Sequence, residues 1–387
     1  MGGVEWVSPE GEIYRMGALT TGDDGWFWGE GPGVDSIGFL HGITGWFGGM
    51  GIITRVSVKL YPFQPDPLVP VGLGGDSGVA FPSRVRYYNI TFTSREAMLK
   101  AAKEIGKADI GAVINIVPAF WRTMAKARGV HDLRNEFFEG WGPVTVEEAA
   151  TVNILRILLI GRASLKQLEY EERVLMDIVE ENGGTPRRTK QTDEGTFRYA
   201  NTADMWMMTG VFTATDAGME SDRCTKAEID MFRDRLFALP FKLDYLDQKG
   251  EHPWFLIWNR GRLGYSELHV QPDGRNIDPE DPNFNPDLTM RFVPWAISEG
   301  PTINVRTGVV GLFEATVHPI SSEAPARHNY DIWLKRWKAE FDPNGLSGTA
   351  WPYAIDNVVA AQPALLTEEY KETVRKVAEG PWMGNPE

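Results

Sequence analysis

Cysteine is almost missing from this chain: Cys224 is the single one in 387 residues. One thiol excludes an internal disulfide and any zinc or iron–sulfur centre held by this chain's cysteines alone. Its neighbours in Glu220-Ser-Asp-Arg-Cys-Thr-Lys226 are polar, the setting of a spectator thiol. Basic charge is short as well. Lys and Arg number 39 against 53 Asp and Glu, and the net charge of −14 argues against nucleic acid or an anionic membrane surface as main partner. Long apolar runs are lacking; the longest candidate, Ile154 to Ile160, is broken by Arg156 and reads as a buried strand, so no membrane span is expected. The first residues carry Glu5 and Glu10 and no basic stretch leading into an apolar core. No signal peptide is therefore expected, and cytoplasmic is the simplest compartment.

Several chemical motifs are missing too. No G-x-G-x-x-G follows a strand and opens a helix, and no G-x-x-x-x-G-K-[ST] is present. There is no H-x-x-x-H, H-E-x-x-H or Gly-x-Ser-x-Gly. Asp278-Pro-Glu-Asp-Pro-Asn283 lacks the glycine and spacing of a calcium loop, so no metal is expected.

What the chain has instead is glycine and tryptophan in particular places. Gly45, Gly48 and Gly51 are spaced by three in Gly45-Trp-Phe-Gly-Gly-Met-Gly-Ile-Ile-Thr54 and lead into Val56, Val58 and Leu60. Such glycines let a backbone take positive φ or approach a ligand closely, and the β-branched run after them reads as a strand. On spacing alone, a Gly-rich turn before a strand is more often a bulge or tight bend. The 14 tryptophans suit aromatic pockets and large contact surfaces as well as core packing.

The Gly45–Thr54 segment resembles the G-x-x-G-x-x-G-I-[IV]-T signature of the vanillyl-alcohol oxidase / 4-cresol dehydrogenase superfamily, the FAD-binding PCMH-type flavoproteins. Gly3-Val-Glu-Trp-Val-Ser-Pro-Glu-Gly-Glu-Ile-Tyr-Arg-Met-Gly17 resembles that family's G-[ML]-E-V-V-L-P-x-G-E-V-x-R-T-G hairpin. Lys335-Arg-Trp-Lys-Ala-Glu-Phe-Asp-Pro-Asn-Gly345 resembles its closing K-x-x-x-D-P-N-G segment, with Trp351-Pro352 beyond it. The three matches keep the family's order across most of the chain.

The resemblance implies an α+β protein. Its parts would be the C-terminal lobe of a flavin-binding domain at 1–75, a ferredoxin-like α+β substrate (cap) domain at 76–300, and a segment at 301–387 returning to the flavin domain. It implies FAD as cofactor, with Gly51, Ile52, Ile53 and Thr54 lining its adenine and ribose side and Gly45 and Gly48 allowing close approach. In the family a first lobe carrying the pyrophosphate loop precedes the hairpin. Here the hairpin starts at Gly3, so the expectation is that a second polypeptide supplies that lobe, unless the sequence is truncated. An iron–sulfur cluster, if electrons leave that way, would also sit on another chain. The family's Pro-Gly-Lys after D-P-N-G is replaced by Gly345-Leu-Ser-Gly-Thr-Ala-Trp351. Arg327 is the nearest counterpart of the Arg that faces the flavin pyrimidine, where a cation stabilises the anionic reduced flavin. His41 has no assigned counterpart, and no covalent flavin link is expected.

The residue pattern is read alongside this. A loop at Thr20–Gly33 and a short helix at Asp35–Gly42 precede the Gly-rich segment. The proline-rich stretch 62–83 reads as a linker. Strands are expected at 85–92, 111–117 and 152–160, with helices at 93–105, 119–128 and 164–181. Two strands, 254–258 and 264–270, flank Asn259–Leu263; further strands are expected over 303–320, and helices over 329–341 and 367–379. Tyr265, Glu267 and His269 alternate on the second strand and so share one face. They are groups able to take a proton from an alcohol or phenol while a hydride leaves to flavin, or they are a solvated strand face. Arg260 and Arg262 would clamp a carboxylate or simply lie exposed in the turn. Two functions remain open: the subunit of a hetero-oligomeric FAD-dependent oxidoreductase acting on a hydroxylated, aromatic or carboxylated small molecule, and a non-catalytic structural subunit of such a complex.

Overall fold

The computed structural model describes residues 3–17, 49, 51–57, 60, 66–72, 78–116, 153–188, 190–197, 213–218, 254–258, 263–270, 279–282, 284, 286, 298–299, 301–302, 305–306, 319–327, 329–348 and 354–380. The chain divides into two units: Met1–Tyr61 with Pro294–Glu387, and Pro62–Val293.

In the first unit, β1 (Gly3–Val7) and β2 (Ile13–Gly17) form a hairpin, and β3 (Ile52–Ser57) pairs antiparallel with the far edge of β1. The order is β2-β1-β3. Ser8 closes the hairpin, its amide donating to the Glu12 carbonyl at 2.8 Å and its carbonyl accepting from Gly11 at 2.9 Å. Alternation puts Val4 and Trp6 on one face, where they are buried with Met16 and Ile53.

In the second unit come β4 (Pro70–Val71), β5 (Gly78–Ala80), β6 (Val85–Phe92), β7 (Val113–Ile116), β8 (Asn153–Ile160), β9 (Thr185–Arg187), β10 (Thr196–Phe197), β11 (Thr213–Gly218), β12 (Trp254–Trp258) and β13 (Leu263–Val270). Seven of these form one sheet in the order β11-β13-β12-β7-β8-β6-β9, every pair antiparallel. Its buried positions Ile90, Phe92, Leu155, Ile157 and Leu159 meet the apolar sides of α1 (Arg95–Lys107) and α2 (Leu165–Glu181). Both helices begin where a serine satisfies an otherwise unpaired amide: Ser94 Oγ accepts from Ala97 and Ser164 Oγ from Gln167, each at 3.1 Å. The α+β class with helices against an antiparallel sheet is thus present as expected.

The stretch 62–83, expected to be a linker, carries two short strands instead. β4 and β5 join β10 in a sheet ordered β10-β5-β4, and Pro70 lies on the edge strand, where its missing N–H breaks no ladder.

The C-terminal part of the first unit is helical: α3 (Ile320–Glu323) runs into a 3-10 turn at Ala324–Arg327, followed by α4 (Tyr330–Phe341), α5 (Ala354–Ala361) and α6 (Glu368–Glu379). Thr367 caps α6, accepting from the Tyr370 amide at 3.2 Å. The strands expected over 303–320 are not seen at its described residues: Val305, Arg306 and Ile320 are helical. Val305 is buried against Leu366, Tyr370 and Val374, so its β-branched character serves a helical core. The helices expected at 35–42 and 119–128, the loop at 20–33 and Cys224 lie outside the described residues.

Candidate functional site

The Gly-rich segment enters β3 through Gly51, whose φ is +112°. A Cβ there would stand 2.1 Å from the Val7 carbonyl oxygen and 2.9 Å from Trp6 Nε1. Only glycine lets the backbone lie that close to β1. Pairing then shifts register between Glu5 and Trp6: Trp6 faces Ile53 and Glu5 faces Arg55, leaving Thr54 as the extra residue of a β-bulge.

Glu5 fixes that bulge. The Thr54 hydroxyl faces its Oε1 at 3.0 Å and its carbonyl at 3.3 Å. Arg15 donates to Oε2 at 2.9 Å from β2, and Arg55 lies 3.4 Å from Oε1. The Thr54 hydroxyl first, then the two guanidiniums, hold the Glu5 carboxyl below the usual carboxylate range, against the opposing effect of its burial. Beside this charged row stands an apolar one, Ile13–Val7–Ile52, whose outer members are 66% and 69% exposed.

The closing D-P-N-G segment packs on the same strands. Phe341, the last residue of α4, lies 5.3 Å from the Trp6 ring and 5.2 Å from Trp337, and Trp6 stacks on Tyr14 at 4.8 Å. Asn344 donates to Glu10 Oε1 at 3.0 Å at the hairpin tip. Asp342, fully buried, accepts from the amides of Leu346 at 2.7 Å and Ser347 at 3.0 Å. Burial pushes its carboxyl up, but the Lys338 ammonium and the two amides outweigh that, and the net shift is downward. Lys338 donates to Asp342, to the Ser347 carbonyl and, at 2.6 Å, to the Gly49 carbonyl. Three motifs distant in sequence therefore meet in one place.

The predicted site residues fall as follows. Gly51, Ile52, Ile53 and Thr54 belong to this node; Gly45, Gly48, His41, Arg260 and Arg262 lie outside the described residues. Arg327 is in the 3-10 turn after α3, its Nε 3.3 Å from Glu323 Oε2. Glu323 and Asp356 charges, together with burial, raise the nearby Tyr370 hydroxyl far above its ordinary value, burial being the larger cause. Tyr265, Glu267 and His269 are in the second unit on β13, between β11 and β12. Their backbones face Leu256 for Tyr265, Trp254 and Ala217 for Glu267, and Ala214 for His269. Sequence reasoning does not single out Glu5 or Lys338 as site residues. Lys338 stands at the first position of the K-x-x-x-D-P-N-G match, and its i,i+4 spacing to Asp342 in a helix usually marks an exposed pair.

No protein-family model matches the sequence, and no curated protein matches it by sequence. Solved structures do match in shape. The crystal structure of p-cresol methylhydroxylase with substrate bound superposes over 89% of this chain with a TM-score of 0.52 and 15% identity. The chain has that fold. The likeness is one of fold, and it lies where the resemblance of the three motifs points. The chain spans 63% of the length of the p-cresol methylhydroxylase chain. Alkyldihydroxyacetonephosphate synthase also matches over 89% of this chain, at 12% identity and a TM-score of 0.45, covering 52% of that protein.

The residues present fit a flavin contact made through backbone atoms. Among the described residues β3 is an edge strand, so the outward N–H and C=O groups of its alternate residues have no strand beside them. Among the described residues no helix is long and apolar enough to cross a membrane, and no group of three or more His, Cys, Asp or Glu is arranged to hold a metal ion.

Proposed function

We propose that this chain is a subunit of a hetero-oligomeric FAD-dependent oxidoreductase, active with a partner that supplies the pyrophosphate-binding lobe. Its substrate is a hydroxylated small molecule, with aromatic and carboxylated compounds the first to test. The observation that carries this reading is the convergence of the hairpin, the Gly49–Thr54 segment and the D-P-N-G turn on one node, within a chain of the p-cresol methylhydroxylase fold. Bound flavin supplies the hydride acceptor.

The residues of this chain divide the remaining work. The backbone of Gly51–Thr54 lines the adenine and ribose side of the cofactor, with Gly45 and Gly48 giving close approach. In the second unit, Tyr265, Glu267 and His269 are the proton acceptors for the substrate hydroxyl. Arg327 supplies positive charge toward the reduced cofactor, reduced by its ion pair with Glu323. Electrons leave through a partner, an iron–sulfur subunit being one form.

A second reading is favoured by one observation. The polar groups of the motifs, Lys338, Asp342, Glu5 and Thr54, are engaged with one another and with the backbone, as a structural subunit kept for assembly would require. Visible absorbance of the chain, purified alone and with its co-purifying partners, separates the readings. Flavin bands in the complex that bleach on adding substrate support the catalytic subunit. Bands that no alcohol or phenol bleaches favour the structural one, and a colourless complex removes the flavin altogether.

A further inference from the structure

We infer that Lys338 is a positioning residue, whose ammonium clamps the Gly49–Thr54 backbone in the geometry a ligand meets. The inference rests on the proposed function for the ligand's identity, which is flavin, and on geometry alone for the clamp.

The Lys338 side chain is 13% exposed and its three N–H donors have three acceptors: the Gly49 carbonyl, the Ser347 carbonyl and Asp342 Oδ2. Two of these belong to the D-P-N-G turn; the third lies 289 positions away in sequence. An ammonium so placed would be costly to bury unless every donor were met, and here Asp342 also balances its charge. The clamp thus adds almost no net charge beside an anionic cofactor.

Its effect on the segment is specific. Gly49 is buried, and two residues on Gly51 is pressed against the Val7 carbonyl with no room for a Cβ. Three residues further Thr54 is tied to Glu5. The backbone between Gly49 and Thr54 is therefore held at both ends, by Lys338 at one and Glu5 at the other. A guanidinium cannot replace the ammonium, because its donors lie in one plane while the three acceptors surround a point.

The test uses the full chain with its co-purifying partners, stripped of flavin and titrated with FAD by fluorescence quenching. Lys338→Met should weaken FAD binding about tenfold or more, the effect of losing a charge-assisted hydrogen bond at a preorganised segment. Lys338→Arg should fall between. Asn344→Ala, which removes the other tie of the same turn, should bind FAD as wild type does. Amide hydrogen exchange is read in parallel, and residues 51–57 should exchange faster in K338M alone. FAD affinity in K338M within twofold of wild type overturns the inference, as does an equal loss in N344A, which would make the effect one of general turn stability. If the wild-type complex binds no FAD, the functional reading fails by itself. The clamp then stands or falls on exchange: faster exchange over 51–57 in K338M supports it, and unchanged exchange overturns it.

Discussion

At Gly51 a methyl group has nowhere to go, since both the positive φ and the Val7 carbonyl oppose it. Gly51→Ala should cost about 2–4 kcal/mol in urea unfolding. Gly345 also has a positive φ, +61°, but open space around it, so Gly345→Ala should cost only about 1–2 kcal/mol. Glu5 gives a prediction with a sign. Its carboxyl is more acidic folded than unfolded, so the stability it adds is present above the unfolded value of about 4.3 and is lost as pH falls through the lower folded value. Glu5→Gln should therefore destabilise at pH 7, and the gap to wild type should close on acidification below that value; urea midpoints measured across pH check it. At this scale the sequence was only partly legible. Gly51 and Thr54 stood out by motif, but that the Thr54 hydroxyl belongs to Glu5 follows from the register of a bulge, which glycine spacing hints at without saying which side chains it pairs. Lys338 lies within the closing motif, but helical spacing says nothing about a carbonyl arriving from another part of the chain.

Among the elements, α4 has the most to do. Trp333, Trp337 and Phe341 recur every fourth residue and touch in sequence, Trp333 edge-on to Trp337 at 5.6 Å and Trp337 stacked on Phe341 at 5.2 Å, before Phe341 meets Trp6. The helix is joined to the hairpin through that last ring. Phe341→Ala should cost about 2–3 kcal/mol, less than for a fully buried ring, and should weaken the near-ultraviolet circular dichroism of the stacked tryptophans. Elements whose pattern is local were readable: β6 and β8 alternate, and α1, α2 and α6 begin beside Ser94, Ser164 and Thr367. The helical state of Val305 was not, because valine favours strands only where a pleated surface receives it, and Val305 packs against α6 instead. β4 was hidden by Pro70, which an edge strand tolerates, and β5 by being only three residues long.

For the whole molecule, the seven-stranded sheet and both of its helices lie between Pro62 and Val293, so their contacts close within one continuous piece of chain. A protein of residues 62–293 alone should show a cooperative thermal transition by circular dichroism. The other unit is built from two distant segments, 1–61 and 294–387, and neither should give such a transition by itself. The packing of Phe341 on Trp6 has a further consequence, for synthesis. The ring that covers Trp6 is encoded 335 residues after it (341 − 6). At about 5–20 residues per second, the hairpin waits roughly 15–70 s with its aromatic face uncovered. During that interval the nascent chain is a client for whatever holds apolar surfaces apart in the cell, and the making of α4 decides when it is released.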